Sequence, residues 1–220
     1  MEAEVASKEG PSAATPLDET PRESLSFKLF GIDWAAHLPF ELSEDVRLEW
    51  ATVAQTAAFA GAHYAAIFGA RAADQRFLLE DSTPAKARFL RISDRFVFRD
   101  GVRTVGLLVG QPLDWSTYYW RTVAFLPEFQ GRGLLAAALR RTDDVMRAAG
   151  IARVDGEAAP NNHRQMRLLL RLGYCVTGTI NSERWGTVLR FTKYLRPEAE
   201  ERFMTQFCRD TFRPDDNPNP

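Results

Sequence analysis

The chain has 220 residues, of which 45% are hydrophobic and 26% charged, and 28 Lys and Arg against 29 Asp and Glu give a formal net charge of -1. This composition excludes a wholly disordered chain, and the balanced charge provides no global field that would attract nucleic acid or an anionic membrane. The length fits one large domain or two small ones.

The two cysteines, Cys175 and Cys208, provide neither a disulfide framework nor a four-ligand zinc site, and they favour a reducing compartment with free thiols. Residues 1–23 lack the basic start and unbroken apolar stretch of a secretory signal, and no apolar run is long enough to cross a bilayer. We therefore expect a cytoplasmic protein with no metal and with no membrane or nucleic-acid partner.

The first half of the chain is predicted to be helical after a disordered start over residues 1–24. Ser43 is expected to cap a helix whose apolar residues recur at helical spacing, namely Val46, Trp50, Val53, Ala57 and Ala60. Two more helical pieces are predicted over residues 62–70 and 83–90.

Strands dominate the middle of the chain. Residues 95–99 and 102–109 flank Asp100-Gly101, which is the pattern of a hairpin with a tight turn. Another strand is predicted over residues 117–126, and Pro127 ends it.

Strands and helices alternate in the second half, which predicts an α/β fold with a mixed sheet. The predicted elements are a helix over 134–149 that Gly150 ends, a strand over 152–158, a helix between Asn162 and Gly173, strands over 174–180 and 184–195, and a helix over 197–210. Arg140, Arg141, Asp143 and Asp144 are expected to lie off the apolar face of the first of these helices.

A short loop between a strand and a helix carries the clearest functional pattern. The residues Gln130-Gly131-Arg132-Gly133 follow the strand and lead directly into the helix. The first N–H groups of a helix lack internal partners and lie at the positive end of its dipole, and glycines let a ligand come close. The loop therefore predicts a phosphate or pyrophosphate site to which Arg132 adds charge. A glycine turn that binds nothing is the alternative.

The same loop, followed by Asn162 at the start of the next helix and Gly173 at its end, resembles the GNAT acyltransferases (the Gcn5-related N-acetyltransferase superfamily) over residues 102–195. The family signature is Gln or Arg, two residues, Gly, one residue, then Gly or Ala. Gln130 and Gly133 match it, and Leu135 occupies the last position. The resemblance implies an α/β GNAT fold, with a mixed, mostly antiparallel central sheet flanked by helices and a V-shaped splay between the two central strands.

The resemblance also implies that acetyl-CoA or another acyl-CoA is the co-substrate. If this chain binds CoA as the family does, the main chain of one central strand would pair with the pantetheine arm. The loop would hold the diphosphate, and an asparagine would touch the CoA arm. The residues implied are Val123, Ala124, Phe125, Gln130, Gly131, Arg132, Gly133, Leu134, Leu135 and Asn162.

For catalysis, the resemblance implies that the main-chain N–H of Phe125 contacts the thioester carbonyl and that Glu157 is the base that takes the amine proton. Asp114, His63 and Glu128 are weaker candidates for the base. The tyrosine that serves the family as general acid is replaced by Leu169, and Tyr174 is a candidate substitute that we expect to pack under the last hairpin instead.

The acceptor site is indicated by composition alone. Asp114, Tyr118, Tyr119 and Arg121 cluster at the start of the central strand, where alternation places Tyr119 and Arg121 on one face. Aromatic walls with Arg121 would suit an acceptor that has an apolar body and a carboxylate, and ordinary sheet packing is the alternative.

The sequence thus predicts an N-acyltransferase that moves an acetyl or other short acyl group from acyl-CoA to an amine of a small molecule or peptide, with a homodimer as a possible assembly. Its GNAT domain is placed at residues 25–196, with a C-terminal helix at 197–212 and a disordered tail at 213–220. A non-catalytic acyl-CoA-binding module that acts as a regulator or sensor is the alternative, which Arg121, Leu135 and Leu169 favour. A dinucleotide binder ranks last because the full three-glycine spacing is missing.

Overall fold

The computed structural model describes residues 20–69, 88–89, 91–182 and 186–209. Within these ranges eight strands form one sheet in the order β1-β2-β3-β4-β5-β6-β8-β7. The strands are β1 (Phe40–Glu41), β2 (Val46–Trp50), β3 (Asp94–Asp100), β4 (Arg103–Pro112), β5 (Thr117–Phe125), β6 (Arg153–Ala158), β7 (Cys175–Ser182) and β8 (Gly186–Tyr194). Neighbouring strands are antiparallel, except that β5 and β6 are parallel.

Helices flank this sheet and connect its strands. They are α1 (Leu25–Phe30), α2 (Trp34–His37), α3 (Val53–Phe68), α4 (Leu134–Ala148), α5 (His163–Arg171) and α6 (Pro197–Phe203), with short 3-10 turns at Pro21–Glu23 and Pro127–Phe129 and a π-helical end at Met204–Arg209. No described helix has the length and apolar character that spanning a membrane requires.

The predicted α/β class with a mixed, mostly antiparallel sheet is confirmed. The hairpin is β3 and β4, and Gly101 in its turn has a φ of 55°, a backbone conformation that glycine adopts without strain. The strands and helices predicted from residue 117 to residue 195 are also present, with ends that shift by at most two residues.

The helix predicted to begin after Ser43 is wrong in its first part. Val46–Trp50 is strand β2, which pairs with β3, and its buried Val46 and Leu48 alternate with exposed Arg47 as the two faces of a strand require. The helix begins only at Val53, where Thr52 Oγ1 accepts a hydrogen bond from the Gln55 N–H (3.2 Å) and Gln55 Oε1 accepts one from the Thr52 N–H (2.9 Å). Helix α3 then continues to Phe68 as a single element.

Other predicted segments are described only in part. The helix predicted over residues 83–90 lies outside the described residues apart from 88–89. Residues 1–19 of the predicted disordered start, residues 210–212 of the predicted C-terminal helix and the predicted disordered tail at 213–220 also lie outside them. Residues 20–24 of the predicted disordered start are described. They include a 3-10 turn and Ser24, whose Oγ accepts a hydrogen bond from the Phe27 N–H (3.3 Å) and caps α1.

A buried polar cluster attaches α1 to the beginning of β5. Asp94 is fully buried and accepts hydrogen bonds from the Tyr118 hydroxyl (2.8 Å) and from the Ser26 hydroxyl. Burial raises the pKa of the Asp94 carboxyl above its usual range, although the two hydroxyl donors oppose this shift. The cluster fixes the closed end of the two central strands.

Asp143 was expected on the polar face of α4, and this prediction is wrong. Its side chain is 1% exposed and forms an ion pair with Lys193 Nζ on β8 (2.7 Å). A buried carboxylate is costly unless it is paired, and Lys193 supplies the paired charge. The pair joins α4 to the sheet, which positions the N-terminus of this helix.

Candidate active site

The two parallel central strands separate halfway along their length. Strands β5 and β6 pair from Thr117 and Arg153 to Trp120 and Gly156, and beyond that point β5 stays with β4 while β6 stays with β8. The V-shaped splay expected between the two central strands is therefore present.

A β-bulge in β5 accounts for the point at which the strands part. Trp120 is opposite Gly110 in β4, and Thr122 is opposite Val109, so Arg121 is the extra residue. A bulge bends its strand and increases the local twist. Because the bulge immediately follows the last residue paired with β6, the rest of β5 turns away from β6 and leaves its edge open.

The open edge of β5 offers main-chain N–H groups. The N–H of Leu126 donates to the Val105 carbonyl of β4 (3.0 Å). The direction of the main-chain N–H groups alternates from one residue to the next along an antiparallel strand. The N–H groups of Val123 and Phe125 therefore point away from β4 into the splay. In agreement, the Phe125 carbonyl accepts a hydrogen bond from Gln130 Nε2 (3.2 Å) on the side away from β4. The N–H groups of Val123 and Phe125 thus have the direction that pairing with an inserted chain requires.

The facing edge of β6 is arranged in the same way. The Glu157 carbonyl accepts a hydrogen bond from Gln165 Nε2 on α5 (3.2 Å). Side-chain amides from the loop before α4 and from α5 therefore satisfy one carbonyl on each side of the splay. An amide group in an inserted ligand could take the place of either glutamine.

The glycine loop leads into α4 without a side-chain cap. Gly131 and Gly133 have φ values of 78° and 79°, the left-handed region that glycine occupies without strain, and Gly133 is the N-cap residue of α4. A Cβ atom added at Gly133 would find no heavy atom within 4 Å, so the loop faces open space at this point. The first N–H groups of α4 can therefore reach a ligand.

A cavity of about 930 Å³ lies in front of this loop, between the ends of α4 and α5. Nine of the ten residues predicted to bind the co-substrate line it. These are Val123, Ala124, Phe125, Gln130, Gly131, Gly133, Leu134, Leu135 and Asn162.

The tenth residue, Arg132, does not line the cavity. Its guanidinium lies over the ring of Phe129, 4.5 Å from the centroid. Asn162 is at the cavity wall, but its carboxamide caps α5, because Oδ1 accepts from the Gln165 N–H (3.1 Å) and Nδ2 donates to Gln165 Oε1 (2.9 Å).

Four arginines that were not predicted as site residues line the same cavity. They are Arg140 of α4 and Arg164, Arg167 and Arg171 of α5. The three on α5 are spaced at i, i+3 and i+7, which puts them on one helix face. That spacing is the signal that could have identified them, although a row of charges on a helix is usually just a solvated surface.

Arg164 reaches the glycine loop itself. A Cβ atom at Gly131 would lie 2.0 Å from Arg164 Nη2, and Arg164 Nη1 is within 3.4 Å of Gln130 Oε1. The guanidinium therefore sits directly over the turn where an anion is expected.

Glu157, the candidate base, follows Gly156, the last residue of β6 that pairs with β5. Its carboxylate forms an ion pair with Arg190 Nη2 of β8 (3.1 Å). Burial, followed by the negative charge of nearby Glu157, raises the pKa of Tyr119 well above its usual range. The phenol therefore stays protonated beside the carboxylate.

The other acceptor-site candidates do not gather around Glu157. Tyr118 is fully buried against Asp94, and Asp114 accepts hydrogen bonds from the N–H groups and hydroxyls of its own loop, which lowers the pKa of its carboxyl. Arg121 is exposed and lies close enough to Tyr119 to act on its ionisation, but the bulge interrupts the alternation from which its direction was predicted. Of the four candidates, Tyr119 is the one whose pKa the charge of Glu157 raises.

The weaker candidates have other structural roles. His63 packs against the ring of Phe59 (4.9 Å between centroids), and Glu128 forms an exposed ion pair with Arg103 (2.7 Å). Tyr174 is 2% exposed, and burial raises the pKa of its hydroxyl well above the usual range, so it cannot reach a leaving group. Leu169, at the position of the family's acid, is buried as well.

Three solved structures have the same fold. A ribosomal-protein-S5-alanine acetyltransferase from Vibrio fischeri is 18% identical, with a TM-score of 0.53 over 73% of this chain and 98% of its own. A spermidine N-acetyltransferase from Vibrio cholerae, solved with CoA and spermine, is 15% identical, with a TM-score of 0.51 over 70% and 97%. The protein yncA from Salmonella typhimurium, solved with its cofactor acetyl-CoA, is 20% identical, with a TM-score of 0.51 over 70% and 96%.

At these identities the structures establish the fold and nothing finer, and a comparison with curated proteins found no match. The family comparison is more specific. The model described as the acetyltransferase (GNAT) family matches residues 62–174, which is just over half of the 220 residues. That span contains the splayed strands, the glycine loop and both helices that line the cavity. The chain belongs to the acetyltransferase (GNAT) family.

Proposed function

We propose that this protein is an N-acyltransferase that moves an acetyl or other short acyl group from acyl-CoA to an amine of a small molecule or protein. The observation that carries the proposal is the open edge of β5, which points the N–H groups of Val123 and Phe125 into a splay beside a cationic cavity. Two fold neighbours, the proteins from Salmonella typhimurium and Vibrio cholerae, were solved with acetyl-CoA and with CoA.

The residues present fit acyl-CoA. The edge of β5 would pair with the amides of the pantetheine arm, while the uncapped N-terminus of α4 and Arg164 would hold the diphosphate. The described lining residues of the cavity include no carboxylate, so nothing in the wall opposes a polyanion.

Phe125 and Glu157 supply the chemistry in this proposal. The Phe125 N–H donates to the thioester carbonyl oxygen as negative charge develops there, a contact of the kind worth roughly 10²- to 10³-fold in rate. Glu157 takes a proton from the attacking amine, which would otherwise be mostly protonated because an alkylamine has a pKa of about 10. Arg190 positions the Glu157 carboxylate.

No protein acid is needed for the leaving group. The thiolate of the donor has a conjugate acid with a pKa of about 8.5, so it can leave as the anion near neutral pH. The absence of the family's tyrosine at Leu169 is therefore compatible with turnover, and the remaining rate enhancement would come from holding amine and thioester together.

We propose that the acceptor lies over the face of β5 and β6 that carries Tyr119 and Glu157, with exposed Arg121 nearby. Arg121 and Arg190 both lie close enough to Tyr119 to act on its ionisation. We propose an acceptor that combines an amine with a carboxylate, because these guanidiniums would repel a polyamine.

The second candidate is a non-catalytic module that binds acyl-CoA and regulates a partner. One observation favours it specifically: the Glu157 carboxylate already forms an ion pair with Arg190.

The release of free thiol from acetyl-CoA, measured with a panel of amines and amino acids, tests the proposal. We expect thiol to appear in proportion to acylated amine, and we expect acetyl-CoA at about 100 times its dissociation constant to stabilise the fold by roughly 2.7 kcal/mol. Stabilisation without thiol release would favour the binding module. The absence of both stabilisation and thiol release would refute both candidates.

A further inference from the structure

The Arg190 guanidinium uses little of its hydrogen-bonding capacity. A guanidinium has five N–H donors. In the part of the chain that the structure describes, the Arg190 side chain makes one hydrogen bond, from Nη2 to Glu157 Oε1 (3.1 Å), and its buried Nε has no partner. The side chain is 37% exposed, so a ligand can still reach the guanidinium.

The ion pair of Arg190 with Glu157 lies on one face of the sheet, where the splay begins. The two residues are directly opposite each other on β8 and β6, so their side chains emerge on the same face. Tyr119 of β5 is opposite Asp155, which is two residues before Glu157 and therefore shares this face. The pair thus lies beside the open edge of β5, next to the proposed position of the thioester.

We propose, on the basis of the function proposed above, that the acceptor is a free α-amino acid whose carboxylate binds Arg190 and whose amine lies against Glu157. The two protein groups contact each other, so a ligand that meets both must carry its own two charges close together. In an α-amino acid the amine nitrogen lies about 2.5 Å from the carboxyl carbon, as ordinary bond lengths and angles require. Each additional methylene group between them moves the two charges apart.

The acceptor would complete a closed arrangement of four charges. The planar guanidinium of Arg190 has donors left for two parallel hydrogen bonds to the acceptor carboxylate. This contact holds the amine beside Glu157, which takes one amine proton. The nitrogen lone pair then forms the C–N bond, the C–S bond breaks, CoA leaves as the thiolate, and the second nitrogen proton passes to water. Arg190 is therefore the residue that determines acceptor specificity.

This assignment excludes two other kinds of acceptor. A polyamine has no carboxylate for Arg190. In a protein N-terminus the carboxyl group next to the amine is an amide, whose carbonyl is neutral and accepts a weaker hydrogen bond than a carboxylate does. The product is thus an N-acyl α-amino acid.

Initial rates of thiol release with matched acceptors test the proposal. Each set comprises an α-amino acid, its carboxamide and its β-amino isomer, as in L-alanine, L-alaninamide and β-alanine, and the sets cover small, aliphatic, aromatic and polar side chains. For the side chain that the protein accepts best, kcat/KM for the α-amino acid should exceed that for either analogue by about tenfold or more, since a charge-assisted hydrogen bond contributes enough for that difference.

Variants of Arg190 identify the group that reads the carboxylate. Arg190→Gln should raise KM for the α-amino acid by about tenfold or more and leave KM for the carboxamide almost unchanged, whereas Arg190→Lys keeps the charge and should retain part of the preference. Arg99→Gln is the matched control, because it removes another cross-strand ion pair, that of Arg99 with Glu49 (3.4 Å), two strands away from β5. Calorimetry should give the same acetyl-CoA affinity for all three variants.

Equal wild-type rates with the α-amino acid and its carboxamide, or with the β-amino isomer, would overturn the proposal and leave the proposed function intact. A preference for the carboxylate that survives in Arg190→Gln would do the same. Thiol release with none of the amines would refute the N-acyltransferase itself. The wild-type comparison is decisive even where a variant fails to fold.

Discussion

A Gly133→Glu variant is expected to lose affinity for acetyl-CoA by roughly a hundredfold or more, because like charges placed face to face cost several kcal/mol. Gly133 is the N-cap residue of α4, and space around its Cα is open on the side where the diphosphate is proposed to lie. A glutamate there would bring a carboxylate to the end of the helix that should receive the phosphate oxygens. Calorimetry with acetyl-CoA measures the effect.

Backbone strain must be separated from charge in this test. Gly133 has a φ of 79°, so any side chain costs about 1–2 kcal/mol of folding stability. Gly133→Gln has the same strain and nearly the same shape without the charge, and circular dichroism with thermal unfolding shows whether each variant folds. Equal acetyl-CoA affinity of the folded Glu and Gln variants would contradict the placement of the diphosphate.

Replacement of Glu157 by Gln should lower kcat by roughly 10²-fold or more, the range typical of a lost general base, and leave the affinity for acetyl-CoA almost unchanged. Glutamine keeps the shape and an oxygen that Arg190 can still contact, so the loss is one of basicity rather than of structure. The measurement is the initial rate against pH with any amine that supports turnover.

Glu44→Gln provides the control, since Glu44 is an exposed carboxylate in the turn before β2, far from the splay in the order of the sheet. Its rates should match the wild type at every pH. If the pH–rate profile of Glu157→Gln also coincides with that of the wild type, Glu157 has no part in proton transfer and the acceptor amine must lose its proton to water.

Local signals predicted the parts of the fold that local chemistry determines. The Asp100-Gly101 turn, the two glycines of the loop and the Asn162 cap each depend on residues within a few positions, and each lies where it was expected. Strand β2 was missed because Val46 and Trp50 fit both a helical and an alternating spacing. Pairing with β3, which is more than forty residues later, decides between them.

The parts of the site that were not predicted from the sequence depend on contacts between distant segments. Arg190 meets Glu157 across 33 residues, and Arg140 joins the arginines of α5 only because both helices approach the same end of the sheet. The bulge at Arg121 has no local signature, yet it sets the point at which β5 leaves β6. A charge pattern on one helix does not reveal the cavity that it faces.

The crystal structure of the protein with acetyl-CoA tests the central claim most directly. We predict that the pantetheine arm lies between β5 and β6, hydrogen-bonded to the main chain of Val123 and Phe125, with the diphosphate on the amides of residues 131–135. Electron density for the ligand at another surface, with the splay closed by the side chains of Gln130 and Gln165, would contradict this account.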